Sequence, residues 1–458
     1  MSNASAGLVD RVQERLAEEF DAVHGGFGFV EDQPRKPKFP EPSNLFFLLH
    51  RAEDSSLDES IRREAEAMLT RTLDKMAAGG LQDHLGGGFH RYSVDRFWAI
   101  PHFEKMLYDN GQLASVYARA FGLTGKMEYR WVTEDLLDWA SREMLADEGA
   151  FFAAIDADSE GEEGAFYRWS KDQMKPFANL PSWETFAKLY QLSGTANFED
   201  AFYVPQTIEG LAERAAEMQL DAPRMRQSMA KIREAMRIAR DERERPGIDT
   251  KILTSWNGLM IAGFADAGRI LQREDAIDIA KRAATFILTS MRQSDGSLYR
   301  TYASVGRTTD ENTETEVDSQ GKAKLNGYLD DYAMLVYGLI ALHRATGEAN
   351  WLQSARELTD LQIKKFWDQQ RGGFFFTSDD HQSLIARAKD PVDGAIPSGN
   401  SVAALNLLYL ADEIETKNEY QSYAQRTLET VAGLLQRSPA SAPLAAVAIS
   451  ELLSESNE

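Results

Sequence analysis

The chain contains no cysteine. That single absence removes disulfides, thiolate nucleophiles and cysteine-held metals together, and it fits a reducing, cytoplasmic setting. Nor is there an apolar run near the roughly 20 residues that a membrane-spanning helix needs. The opening stretch, MSNASAGLVDRVQERL, lacks the basic and apolar segments of a secretory signal. Positive charge is also scarce: 50 Lys and Arg stand against 72 Asp and Glu, a net charge of −22. Such a chain repels phosphate backbones, so neither nucleic acid nor membrane is expected as a partner. The oligomeric state is left open.

What remains is an ordinary globular composition, 43% hydrophobic and 27% charged. Met1–Ala4 is set apart as an appended remnant, and residues 5–458 are read as one folded unit. That length exceeds the usual single core, yet a closed barrel can hold it. Proline and glycine give no clear two-domain split. The least regular region is 158–224, and the polar stretch 303–324 is expected to be a loop, either a lid or disordered.

Apolar residues recur at three- and four-residue steps over 10–20, 58–77, 131–145, 225–244, 276–291, 332–345 and 420–436, which predicts helices there. Several of these helices run into a glycine followed by aromatics. The instances are His24-Gly25-Gly26-Phe27-Gly28-Phe29, Gly86-Gly87-Gly88-Phe89-His90, Gly149-Ala150-Phe151-Phe152, Gly296-Ser297-Leu298-Tyr299 and Gly372-Gly373-Phe374-Phe375. Glycine supplies a left-handed cap and the aromatics a short strand. The first three are spaced by about 60 residues, one helical hairpin per unit, for a count near six. Such hairpins close into an all-α toroid, with short strands and loops on one rim. An open solenoid shares the period, but the strongly apolar segment AMLVYGLIAL needs neighbours on both sides.

The densest chemistry lies between Gly79 and Tyr117, which holds His84, His90, Arg91, Trp98, His102, Glu104, Tyr108, Asp109 and Asn110. Ionisable groups and aromatic faces packed this closely point to a pocket, although buried His and Asp also serve packing. Pro101 predicts a helix start that places His102 and Glu104 in a first turn, where the dipole favours a neutral imidazole and a carboxylate. Either His102 or His90 would then shuttle a proton with Arg91 stabilising the charge that develops, or a pair drawn from Glu104, Asp109, Asp156 and Asp331 would act as acid and base. The turn 150–170 presents Asp156, Asp158 and Trp169. It resembles a calcium loop until its twelfth position, Tyr167, so no metal is assigned. No cofactor is called for. Trp256-Asn257, Asp330-Asp331-Tyr332 and Ser398-Gly399-Asn400 open three further helices. Each suits a polyhydroxylated ligand, and each also suits a helix cap. Asp331 joins the catalytic candidates; Arg91, Trp98, Tyr108, Asn110, Asp156, Asp158, Trp169, Trp256, Asn257, Asp330, Tyr332, Ser398 and Asn400 are the binding candidates.

The motifs GGGFHRYSVDRFWAIPHFEKMLYDN, DADSEGEEGAFYRW, DTKILTSWNGLMIAGFADAGR, YLDDYAMLVYGLIALHRATG and IPSGNSVAALNL closely resemble the helical portion of the thioredoxin-domain-containing family typified by spermatogenesis-associated protein 20. The resemblance covers residues 20–455. It implies an (α/α)6 barrel of the six-hairpin glycosidase type, similar to N-acylglucosamine 2-epimerase and cellobiose epimerase, and a carbohydrate ligand. The family's thioredoxin-like domain is absent from this sequence, so its redox chemistry is not carried over. Where the family has a glycine-lysine-asparagine turn, Asn197-Phe198-Glu199 continues as Asp200-Ala201-Phe202-Tyr203. The catalytic histidines of the epimerases have no residue-by-residue match. The expectation is acid–base chemistry on a sugar, as epimerase, isomerase or glycoside hydrolase, with a non-catalytic sugar- or protein-binding module as the alternative.

Overall fold

A computed structural model describes residues 6–28, 33, 36–207, 209–217, 219, 221–303, 321–381, 386–413 and 417–455. Phe29, residues 1–4 and most of the polar stretch 303–324 lie outside that set. In chain order the helices are α1 Ala6–Glu19, α2 Pro42–Glu53, α3 Glu59–Ala78, α4 Leu107–Thr124, α5 Met127–Trp139, α6 Lys171–Met174, α7 Trp183–Leu189, α8 Leu211–Glu217 and α9 Ala222–Asp241. They continue as α10 Thr254–Leu271, α11 Glu274–Ser290, α12 Leu329–Thr346, α13 Ala349–Phe366, α14 Gly399–Glu413, α15 Lys417–Arg437 and α16 Pro443–Glu455.

Residue pattern sorts these helices into two rings. α10 and α12 are apolar around most of their circumference and bury 15 and 12 of their 18 residues. α11 buries a single stripe, Ala276, Ala280, Ala283, Ala284 and Ile287, which is what one covered face of a helix requires. The inner ring runs α2, α4, α10, α12, α14, α16 and back to α2. Each inner helix packs with the outer helix that follows it, and α16 packs with α1 to close the circle. The architecture is an (α/α)6 barrel. Among the described residues no helix is long and apolar enough to cross a membrane.

The inner ring is not evenly packed. A Cβ on Gly258 of α10 would lie 2.4 Å from the Met334 carbonyl carbon of α12, and one on Gly111 of α4 would lie 2.7 Å from the Met260 nitrogen of α10. At both places only glycine lets the two backbones approach so closely.

Five of the outer helices, α1, α3, α5, α11 and α13, end in the same closed turn. Single bridges pair Phe20 with Phe27, Gln82 with Phe89, Leu145 with Phe151, Arg292 with Leu298 and Trp367 with Phe374. Three of the turns share the pattern Asp-x3-Gly-Gly, beginning at Asp21, Asp83 and Asp368. In each, one carboxylate oxygen accepts two backbone N–H groups inside the turn. The other accepts from a lysine that also bonds the carbonyl of the first glycine: Lys38, Lys105 and Lys389 in turn. The paired glycines supply the positive φ values that this path demands.

Residues 140–253 form an insertion carrying α6–α9. Its separate core of Trp169, Phe177, Phe186, Tyr190, Met229 and Met236 leans on Trp131 of α5. The ends of the expected 303–324 loop are strands instead: Tyr299–Ala303 pairs with Lys322–Asn326 and with Lys251–Leu253. A second correction concerns Pro101. No helix starts there; Pro101–His102 is a strand paired with Tyr92–Ser93. Lys105–Met106 then pairs with Ala154–Ile155, which keeps the chain extended until α4 begins at Leu107. His102 and Glu104 therefore lie outside any helical first turn.

Candidate functional site

Apart from the short link between α15 and α16, the connections from an outer helix to the next inner helix are long and carry the motifs, whereas those from inner to outer are short. The N-termini of all inner helices consequently share one rim. That rim gathers Asp109, Trp256, Asp330 and Asn400, and the Tyr108 and Trp256 rings meet edge to face at 4.8 Å.

Proximity to the rim does not make each residue available to a ligand. Asn110 spends its amide on the turn beneath it: the Phe89 N–H donates to Oδ1 at 2.7 Å, and Nδ2 donates to the Phe89 carbonyl at 3.0 Å. Asn257 holds Phe151 in the same way, at 2.8 and 2.9 Å, and Asn400 holds Phe374 at 2.8 and 3.0 Å. At the equivalent place Tyr332 accepts the Leu298 N–H at 2.9 Å. These four are clamps that pin four of the five glycine-aromatic turns to the following inner helix. Asp331, fully buried, accepts the N–H groups of Ser255 and Tyr328 at 3.1 and 2.9 Å, and so caps two helices. Ser398 donates to the Asp390 carbonyl at 2.6 Å.

Three other candidates lie in the interior. Trp98 is fully buried, with its indole N–H on the His24 carbonyl and Lys38 over its ring. Trp169 belongs to the core of the insertion. His90 is wedged between the Phe103 and Tyr167 rings and bonds the Phe103 carbonyl at 2.8 Å. Burial and the nearby Lys105 push its pKa down to about 3, so the ring stays neutral. Aromatics and histidines crowded in sequence formed a packed layer there.

The remaining candidates divide between two places. Asp156 and Asp158 are exposed on a small hairpin in which Asp158–Ser159 pairs with Glu162–Glu163. His102 stacks on Tyr92 at 4.8 Å and bonds Glu163 from this hairpin at 2.7 Å. Glu104 pairs with Arg91 at 2.9 Å, and Arg91 also bonds the Tyr108 hydroxyl.

The second place is a cavity of about 350 Å³ at the mouth of the barrel, lined by Glu19, Phe39, Pro40, Glu41, Pro42, Ser43, Asn44, Asp109, Asp393, Gly394, Ala395 and Ala440. Asp109 is 2% exposed, and its Oδ2 has no hydrogen-bond partner. Burial drives its pKa well above the carboxylate range, against the pull of Arg91 and with a push from Glu104. Burial, reinforced by Asp109, also raises Tyr108 to about 12. Glu41 sits in the left-handed region at φ 47° with Asn44 Nδ2 donating to it at 2.6 Å. Burial and the neighbouring Glu19 raise its pKa to about 7. Asp393 accepts the N–H groups of Ser398 and Leu444 at 2.9 and 2.8 Å, and burial leaves it at about 6. Asp330, beyond this lining, is raised to about 7 by burial and by Asp331. Among the described residues, no three His, Asp or Glu side chains stand close enough to hold a metal ion.

Glu41 and Asp393 were not anticipated. Their sequence signal was faint but present: Pro40-Glu41-Pro42-Ser43-Asn44 opens the first inner helix much as Pro397-Ser398-Gly399-Asn400 opens a later one.

No protein-family model matches the chain. The chain is 36% identical over 434 residues to spermatogenesis-associated protein 20 of Homo sapiens, covering 89% of this chain and 53% of that protein. The Mus musculus protein of the same name is 37% identical over the same length and coverage. The chain thus spans about half the length of the curated relatives it matches. Among solved structures, a D-mannose isomerase superposes with a TM-score of 0.56 at 11% identity, covering 99% of this chain and 98% of that one. An unsaturated glucuronyl hydrolase from Bacillus sp. GL1 superposes with a TM-score of 0.54 at 12% identity, covering 99% and 97%. At these identities the likeness is one of fold.

Proposed function

Taking as premise that the chain is a homologue of spermatogenesis-associated protein 20 along 89% of its length, folded as a six-hairpin (α/α)6 barrel, we propose that it is a carbohydrate-active enzyme working by carboxyl acid–base chemistry in the Asp109 cavity. The observation that carries this reading is the Asp109 carboxyl: buried, without a partner on Oδ2, and facing a cavity it shares with three further carboxyls. Environments that push neighbouring carboxyl pKa values apart divide the labour between acid and base. Asp109, held protonated, gives its proton to a departing glycosidic oxygen. Asp393, at about 6 and ionised at neutral pH, takes a proton from the water that attacks the anomeric carbon.

Glycoside hydrolysis fits better than isomerisation, because no histidine is among the residues lining the cavity. Phe39 and Pro40 in the lining offer flat apolar surface to the faces of a sugar ring. The fold neighbours include proteins described as a mannose isomerase and a glucuronyl hydrolase, which supports a sugar ligand.

NMR-monitored incubation with a panel of aryl glycosides and free sugars tests the reading. Turnover by wild type that falls about 10²–10⁴-fold in Asp109→Asn is the expected outcome. Unchanged turnover in Asp109→Asn removes Asp109 from the chemistry. Sugar binding with no conversion of any substrate makes the barrel a binding module.

A further inference from the structure

The charge balance of the Asp109 cavity restricts its ligand further, given the reading of that cavity as a carbohydrate site. Four of its lining residues are carboxylic acids, Glu19, Glu41, Asp109 and Asp393, and none is Lys, Arg or His. A uronic acid or sugar phosphate would bring an anion into this lining without a cation to receive it. The partnerless Oδ2 of Asp109, on a side chain only 2% exposed, marks the cavity as built for a ligand with a donor group. A neutral hydroxyl suffices for that oxygen. Glu41 asks for more. Its carboxyl shares the cavity with Phe39, Pro40 and Pro42 and has the Glu19 carboxyl as neighbour. Arg15 reaches Glu19 from outside the cavity, so among the described residues lining the cavity no cation faces the pair.

We propose that the cavity binds a sugar bearing a free, protonated amine, with the ammonium seated at Glu41 and Glu19 while Asp109 and Asp393 face the reacting bond. An ammonium offers three donors and a compact positive charge. Seated there it draws the proton off Glu41, so binding near neutral pH releases a proton to solvent. The groups facing the three carboxyls are Lys36, Lys38, Glu19 and Asn44 for Glu41, Arg91, Glu104 and Tyr108 for Asp109, and the Ser398 and Leu444 N–H groups with Ser401 for Asp393. None of these cations is in the lining itself.

Calorimetry at pH 7 with D-glucosamine, D-glucose and D-glucuronate, in two buffers of different ionisation enthalpy, tests the proposal. D-glucosamine should bind roughly tenfold or more tighter than D-glucose with proton release, and D-glucuronate weakest of the three. Glu41→Gln, which keeps the Asn44 bond and is checked by its melting temperature, should bring D-glucosamine to within about twofold of D-glucose. D-glucuronate binding as tightly as D-glucosamine, no preference for the amine, or no binding by any of the three overturns it. The two readings fail separately. Turnover of neutral glycosides without amine preference sinks only the amine. Amine binding with proton release, but no conversion of any glycoside, sinks only the enzyme.

Discussion

One side of the inner ring is zipped and the other is splayed. Through α4, α10 and α12 the backbones touch at Gly111, Gly258, Gly263 and Gly338, where an added Cβ would fall 2.3–2.7 Å from a neighbouring backbone atom. Around α2, α14 and α16 no such glycine seam exists among the described residues, and the cavities open there. The Asp109 cavity lies against the start of α2 and the segments preceding α14 and α16. A second of about 80 Å³ lies toward the other end, between Phe46, His50, Tyr337, Asn406 and Val447. The contrast teaches where function can reside: close backbone contact removes the space that a ligand needs, so the site falls where helices are held apart by side chains.

The largest effect that could break this contrast is at one of its tightest points. Gly258→Ala should cost about 3 kcal/mol in urea unfolding, since the atoms in its way are the Met334 backbone. Gly433→Ala in the outer helix α15, with its nearest obstacle 3.8 Å away, should be neutral or gain about 0.5 kcal/mol. Comparable losses at both would mean the seam is not special.

Next come two asparagines near the starts of inner helices. Asn257→Ala leaves the Phe151 N–H and carbonyl unpaired in the interior and should cost about 2–3 kcal/mol. Asn44 of α2 bonds only Glu41 through its side chain, so Asn44→Ala should cost about 1 kcal/mol or less. Thermal melts of the two variants measure the difference between a clamped turn and a splayed one.

The smallest effect is a pH slope. Glu41 is raised to about 7 from 4.5, so the folded chain holds its proton longer than the unfolded chain does. Its contribution is full below pH 4.5 and is lost as pH rises toward 7. Asp393, raised to about 6, acts in the same direction. Glu41→Gln should flatten the fall in stability across that window, by on the order of 1 kcal/mol at its upper end. A slope unchanged in the variant would show that Glu41 is not buried as described.

The fold was largely legible because its rules are local. Three- and four-residue apolar steps mark the helices, and a glycine pair followed by an aromatic marks the turn that reverses the chain. The site was less so. Asn110, Asn257, Asn400 and Tyr332 looked like ligand contacts because they sit at helix starts, yet a turn that must be held to a helix needs the same donors and acceptors. Trp98 and His90 looked exposed by their chemistry and are covered by residues distant in sequence. Pro101 suggested a helix, but the pairing of Tyr92–Ser93 and Ala154–Ile155 with the segment around it kept the chain extended. Glu41 was hidden in a proline-rich opening, and its altered proton affinity comes from Glu19 and from burial, neither of which its neighbours in sequence reveal.

The packing of α1 on α16 has a consequence for synthesis. A ribosome delivers α1 well before α16, and the circle has no closed form until both are present. Glu19, at the end of α1, and Ala440, just ahead of α16, both face the Asp109 cavity. The cavity is therefore among the last features to take shape as the nascent chain folds. Until then, the flank of α2 that packs on α16 has no partner.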